Sequence, residues 1–99
     1  MWKTIWGNVA MPKALYRVKE GDFVRHLEAG NIRKVIAQED VYVPLKFVIV
    51  GINPDSQTAY VMRHGRTDKL RTWRLDNLAS FLRKHEVKKF EVEFQYGSE

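Results

Sequence analysis

The 99-residue chain contains no cysteine. That excludes disulfide staples and cysteine-ligated zinc, and it fits a reducing compartment such as the cytoplasm. No apolar run approaches the roughly 18 to 20 residues a membrane-spanning helix requires, so no membrane partner is expected. The three histidines, His26, His64 and His85, lack i,i+4 spacing and have no neighbouring carboxylate pair, so no metal site is expected. Neither a P-loop nor a GxGxxG turn is present, which leaves no argument for a nucleotide cofactor. Internal repeats, low-complexity tracts and long linkers are also missing. Residues 1–99 therefore read as one domain with a single modest core.

Positive charge is what the chain does have, and it is unevenly placed. The net charge is +5. Between Arg63 and Lys89 there are nine Lys/Arg against Asp68, Asp76 and Glu86, whereas residues 1–62 carry eight against six acids. Such a concentration suits phosphate backbones or an acidic protein surface.

The clearest periodicity is C-terminal. Phe90, Val92, Phe94 and Tyr96 alternate with Glu91, Glu93 and Gln95, the pattern of a strand with one buried and one wet face, which favours an antiparallel sheet. Before it, Leu75, Leu78, Ala79 and Leu82 fall on one helical stripe with Phe81 at its margin. Asp76 is suited to the N-cap, and Arg83, Lys84 and His85 to the last turn. Ala59–His64 and Lys69–Arg74 read as two strands joined through Gly65, with Trp73 anchoring the second to the helix. Val41–Ile52 is the most apolar segment and reads as a central strand from Leu45, after Pro44. Asn53–Gln57 then turns it into the next strand.

The N-terminal half is less regular. Lys13–Lys19 reads as a short strand or a lead-in turn. Asp22 is placed to cap a helix from Phe23, and Gly30-Asn31 breaks that helix from a second one carrying Val35 and Ile36. Residues 1–10 hold Trp2 and Trp6 and lack the apolar core of a signal peptide. With Met11 as an alternative start they read as an extension. The tryptophans then either pack on the domain or form a protein-interaction element. Assembled, the expectation is an α+β fold. Its antiparallel sheet has about four strands, a three-stranded meander followed by a helix and a final strand, with one or two N-terminal helices on one face.

Arg63, Arg66, Lys69, Arg71 and Arg74 crowd two adjacent strands and their turn, and Arg83, Lys84, Lys88 and Lys89 extend the strip. A two-stranded ribbon of this kind can contact DNA or RNA phosphates. The same charges also serve an acidic protein partner, or simply face water. An exposed edge strand is compatible with a homodimer.

Two resemblances follow from short stretches. Arg63-His64-Gly65-Arg66-Thr67 resembles the RHGxT signature of the histidine phosphatases, in which the histidine accepts a phosphoryl group cradled by arginines. That family has a larger α/β scaffold and a second catalytic histidine far downstream, and only 34 residues follow Gly65 here. The expectation is that His64 ends a strand and that no residue is catalytic. Residues 71–94, RTWRLDNLASFLRKHEVKKFEVEF, resemble the ends of short accessory proteins of plasmids and other mobile elements, some of them partition accessories. The shared features are a basic strand, a Leu-Asp-x-Leu-Ala helix and a Val-x-x-Phe-x-Val strand. The function expected is non-catalytic binding or regulation, with a nucleic-acid contact first and a protein-interaction or inhibitor role second.

Overall fold

A computed structural model describes residues 12–95. In chain order the elements are β1 (Ala14–Val18), α1 (Glu20–Glu28), β2 (Lys34–Glu39), β3 (Lys46–Asn53), β4 (Thr58–Met62), β5 (Trp73–Arg74), α2 (Leu75–Lys84) and β6 (Glu91–Glu93). The strands form one sheet in the order β1-β4-β3-β2-β6, with β5 also pairing β3. β3 runs antiparallel to β2, β4 and β5, whereas β1 is parallel to β4 and β6 is parallel to β2.

This corrects the expected antiparallel sheet of four strands. The fold is α+β, but the sheet is mixed and, among the described residues, has six strands. The reason lies in the connections. Each helix follows one strand and carries the chain back along the sheet, so the next strand starts again in the same direction. β1–α1–β2 and β5–α2–β6 are both crossovers of this type. Alternation in the 90–96 stretch reports which side chains share a face and says nothing of strand direction. Its paired length is three residues, Glu91–Glu93.

The second helix expected around Val35 and Ile36 is instead β2. Its run of buried residues lies in the sheet interior, where both faces are covered and alternation disappears. The break at Gly30 holds. Gly30 takes a φ of 78°, and its amide and that of Asn31 donate to the carbonyls of Leu27 and His26. This is a Schellman ending, which needs a left-handed residue just past the helix. Neither Asp22 nor Asp76 is an N-cap, since the capping positions are Lys19 and Arg74. Both aspartates lie in the first helical turn, where negative charge favours the dipole.

Register separates the side chains into two layers. One face carries Val35, Ala37, Phe47, Ile49, Met62 and Trp73, which cluster with Phe23 of α1 and Leu78, Phe81 and Leu82 of α2. Both helices therefore pack on the same face. The opposite face carries Ile36, Val48, Val50, Ile52, Ala59 and Val61, with Leu70 packed against them. Gly51 belongs to the helix-covered face, and a Cβ there would come within 2.6–2.9 Å of three atoms of Ile32. The close approach of Ile32 to the strand backbone requires the glycine.

Glu39, at the end of β2, is 6% exposed. Its carboxylate accepts the backbone N–H of Gln95 at 2.9 Å and that of Leu45 at 2.7 Å. These bonds, the one from Gln95 first, hold its pKa below the ordinary glutamate value against the opposing effect of burial. One side chain thus ties the β2–β3 loop to the segment after β6.

Two outcomes follow. Gly51→Ala should lower unfolding stability by about 1–3 kcal/mol through overpacking against Ile32, read by denaturant unfolding. The depressed pKa of Glu39 gives stability that is complete above the ordinary glutamate range and lost as pH falls through the folded-state value. Glu39→Gln should therefore be less stable than the parent at pH 7, and the gap should narrow as unfolding is repeated towards pH 3.

Candidate nucleic-acid interface

The basic residues expected to form one ribbon fall into two groups. The chain leaves β4 at Met62 and returns through an isolated bridge between Arg63 and Leu70. His64 N–H donates to the carbonyl of Lys69 at 2.9 Å, and Arg71 N–H to that of Met62 at 3.0 Å. The expected strand Lys69–Arg74 is a regular strand only at Trp73–Arg74. Between Arg63 and Lys69 no side chain is apolar, so burial gives a long ladder nothing to form around. Leu70 is the first side chain after Met62 to pack against a core cluster.

Most arginines of this segment are occupied. Arg63 turns into its own loop, donating to the carbonyl of His64 at 2.9 Å, with its Nε 4.0 Å from Asp68. Arg71 pairs with Glu20 on α1, and its guanidinium lies 3.9 Å from the centre of the Trp73 ring. That contact holds the loop against a core anchor, which itself packs on Phe81 at 5.0 Å. Arg74 pairs with Asp76 at 3.0 Å. Arg66 and Lys69 are exposed, and among the described residues they have no carboxylate within 4.0 Å.

The second group lies at the other end of the sheet. β5 pairs with the Lys46 end of β3, and α2 then travels about 15 Å to its last turn, which carries Arg83 and Lys84. The helix stops in a second Schellman ending. Glu86 N–H donates to the carbonyl of Arg83 at 3.0 Å and Val87 N–H to that of Leu82 at 2.9 Å. Here the left-handed position is Glu86, with a φ of 64°. Val87 tucks under the sheet beside Leu82 and the chain reverses. Lys88 and Lys89 are left exposed on the connector before β6.

Arg83, Lys88 and Lys89 line one groove with Glu86 and Phe90. Lys89 and Phe90 continue into a second groove with Arg33 and Lys34. Arg33 pairs with Asp55 and Lys34 with Glu91, the latter at 3.3 Å. Both pairs are exposed and therefore weak. Arg83, Lys84, Lys88 and Lys89 have no carboxylate within 4.0 Å among the described residues. Arg33 and Lys34 were hidden from a reading that placed them between two helices. Lys34 opens β2 and Arg33 immediately precedes it, so both stand near β6, whose Glu91 is opposite Ile36.

His64 sits in the exposed loop after β4, and His85 caps α2 at the far end, edge-on to Phe81 at 4.8 Å. The two do not converge. Among the described residues no group of three or more His, Asp or Glu is placed to hold a metal, and no helix is long and apolar enough to cross a membrane. Trp2 and Trp6 lie outside the described residues. Comparison with known proteins found no matching family model, curated protein or solved structure. The basic end must be judged on its own geometry.

Glu86 combines backbone strain with the acid nearest the free lysines in sequence. Glu86→Gly should raise stability by up to about 1 kcal/mol by relieving the left-handed φ. It should also strengthen polyanion binding, read by paired unfolding and binding titrations.

Proposed function

We propose that the chain is a non-catalytic binding or regulatory protein of the cytoplasm. In this reading nucleic-acid phosphates are taken on the basic end made by Arg83, Lys84, Lys88 and Lys89. The observation that carries the proposal is that these four cations are exposed and lack carboxylate partners among the described residues. Arg63 and Arg71 are already engaged within the fold, and Arg74 is held by an exposed pair with Asp76. Unneutralised like charges repel one another, and a polyanion relieves that repulsion.

The C-terminus of α2 is the negative end of a helix dipole, so it offers an anion no backbone donors. Side chains therefore carry the contact. Binding of this kind positions a phosphate backbone without reading bases, and counterion release makes it depend steeply on salt. Arg66 and Lys69, at the opposite end, form a smaller second contact. The resemblance of residues 71–94 to accessory proteins of mobile elements fits such a role. A protein-binding function is the second reading, favoured by a separate observation: Val41, Tyr42, Val43 and Leu45 are all exposed in one loop.

Four phosphate contacts give a slope of log affinity against log salt of about −3 to −4 on duplex DNA. Lys88→Ala combined with Lys89→Ala should weaken binding uniformly across sequences and reduce the slope by about 2, measured by fluorescence anisotropy. Arg66→Ala with Lys69→Ala should have the smaller effect. No binding at low salt, or binding untouched by the lysine pair, contradicts the proposal.

A further inference from the structure

The face of the sheet turned away from both helices is as well sealed as the face they cover. Ile36, Val48, Val50, Ile52, Ala59 and Val61 lie on it, and each is at most 5% exposed. Side chains on an open sheet face do not reach that degree of burial by touching one another, because their outer ends still meet water. Leu15 of β1 shows the difference: it lies on this face opposite Ala59 and is 45% exposed. Among the described residues, Leu70 is the one apolar side chain that packs on the cluster from outside it. It pairs with Arg63, about 13 Å along the strand from Ala59, and leaves the Ile52–Ala59 end uncovered.

Gln38 sharpens the point. It follows Ile36 by two residues on the same face and is 1% exposed, and its Oε1 has no hydrogen-bond donor among the described residues. An amide oxygen open to this side would be hydrated, so something keeps water from it.

The occlusion exists within a single chain, so its source is the chain itself. Two stretches lie outside the described residues, 1–11 and 96–99. The second brings one large apolar side chain, Tyr96, too little to cover six. The first brings Trp2, Ile5, Trp6 and Val9, spaced i, i+3, i+4 and i+7 as on one side of a helix. It also arrives at the right place. Lys13 N–H donates to the carbonyl of Gln57 at 2.7 Å, so the chain enters β1 at the Ile52–Ala59 end of the sheet. From β1 to β2 is three strand spacings, about 14 Å, and eleven residues reach about 16 Å even when fully helical.

We propose that residues 1–11 lie across this face as an intramolecular cover, with Trp2 and Trp6 seated on Ile36, Val50 and Ile52. The sheet is then sandwiched between two layers. The tryptophans belong to the core, where large aromatic side chains bury the most area per residue, and are withdrawn from any partner. A donor from the same segment is placed to reach Gln38 Oε1. The proposal is independent of nucleic-acid binding at the end of α2.

The test is methyl–aromatic NOE spectroscopy on the full chain with labelled isoleucine and valine methyls. Cross-peaks from the indoles of Trp2 and Trp6 to the methyls of Ile36, Val50 and Ile52 are expected, and they should arise within one chain when labelled and unlabelled protein are mixed. Trp73, on the helix-covered face, should show none of them. Trp6→Ala should lower the urea midpoint and open the same methyls to a soluble paramagnetic probe. The methyls of Ile49, on the helix-covered face, should stay protected, and affinity for duplex DNA should be unchanged. The parent spectra decide the question even where Trp6→Ala does not fold. Absence of these cross-peaks, cross-peaks that arise only between chains, contact with Tyr96 alone, or methyls already open to the probe in the parent overturns the proposal.

Discussion

Because β2 and β3 carry apolar side chains on both faces, neither can stand at an edge of the sheet, and the other elements take their places around that pair. β2 receives β6 on its outer side, while β3 shares its second edge between β4 and β5. The two crossover helices lie together on one face, and Gly51 leaves room for Ile32 between the sheet and that layer. The ends of the sheet are set in consequence. At one end are the Arg63–Leu70 return, the β2–β3 loop and the start of α2. At the other are the end of α2, the connector to β6 and the start of β2.

This polarity separates charges that are close in sequence. Arg74 and Arg83 belong to one continuous segment, yet the length of α2 parts them. Arg74 faces an apolar cleft and Arg83 a basic groove. Ion pairing divides them further. The loop after β4 uses its arginines to hold itself to α1, to Trp73 and to its own carbonyls. The connector before β6 leaves its lysines in water. A count of positive charge along the chain cannot distinguish cations used by the fold from cations available to a ligand.

Much of the helix and strand content was nevertheless legible. The stripe of Leu75, Leu78 and Leu82 marks α2, Gly30 marks the end of α1, and the apolar run up to Ile52 marks a central strand, although its first part, Val41–Leu45, is an exposed loop. Local periodicity was enough for each. Strand direction was not legible, since alternation is the same for parallel and antiparallel pairing, and β2 lost its alternation altogether by being buried on both faces. The ribbon was overread because Arg63–Lys69 has turn chemistry at Gly65 but no apolar side chains to hold a ladder. Glu86 at a left-handed position gave no signal, because glycine is the residue that usually marks it. The Glu39 tie joins residues 56 positions apart, and no local pattern reports such a contact.

The central claim is that the end of α2, rather than the loop after β4, takes the phosphate backbone. Amide chemical-shift mapping on isotopically labelled protein during titration with a short DNA duplex tests it directly. The account predicts that the largest shifts fall at residues 83–89 and at Arg33 and Lys34, fading as salt is added. Shifts centred on residues 63–71, or no saturable shifts at low salt, would contradict it.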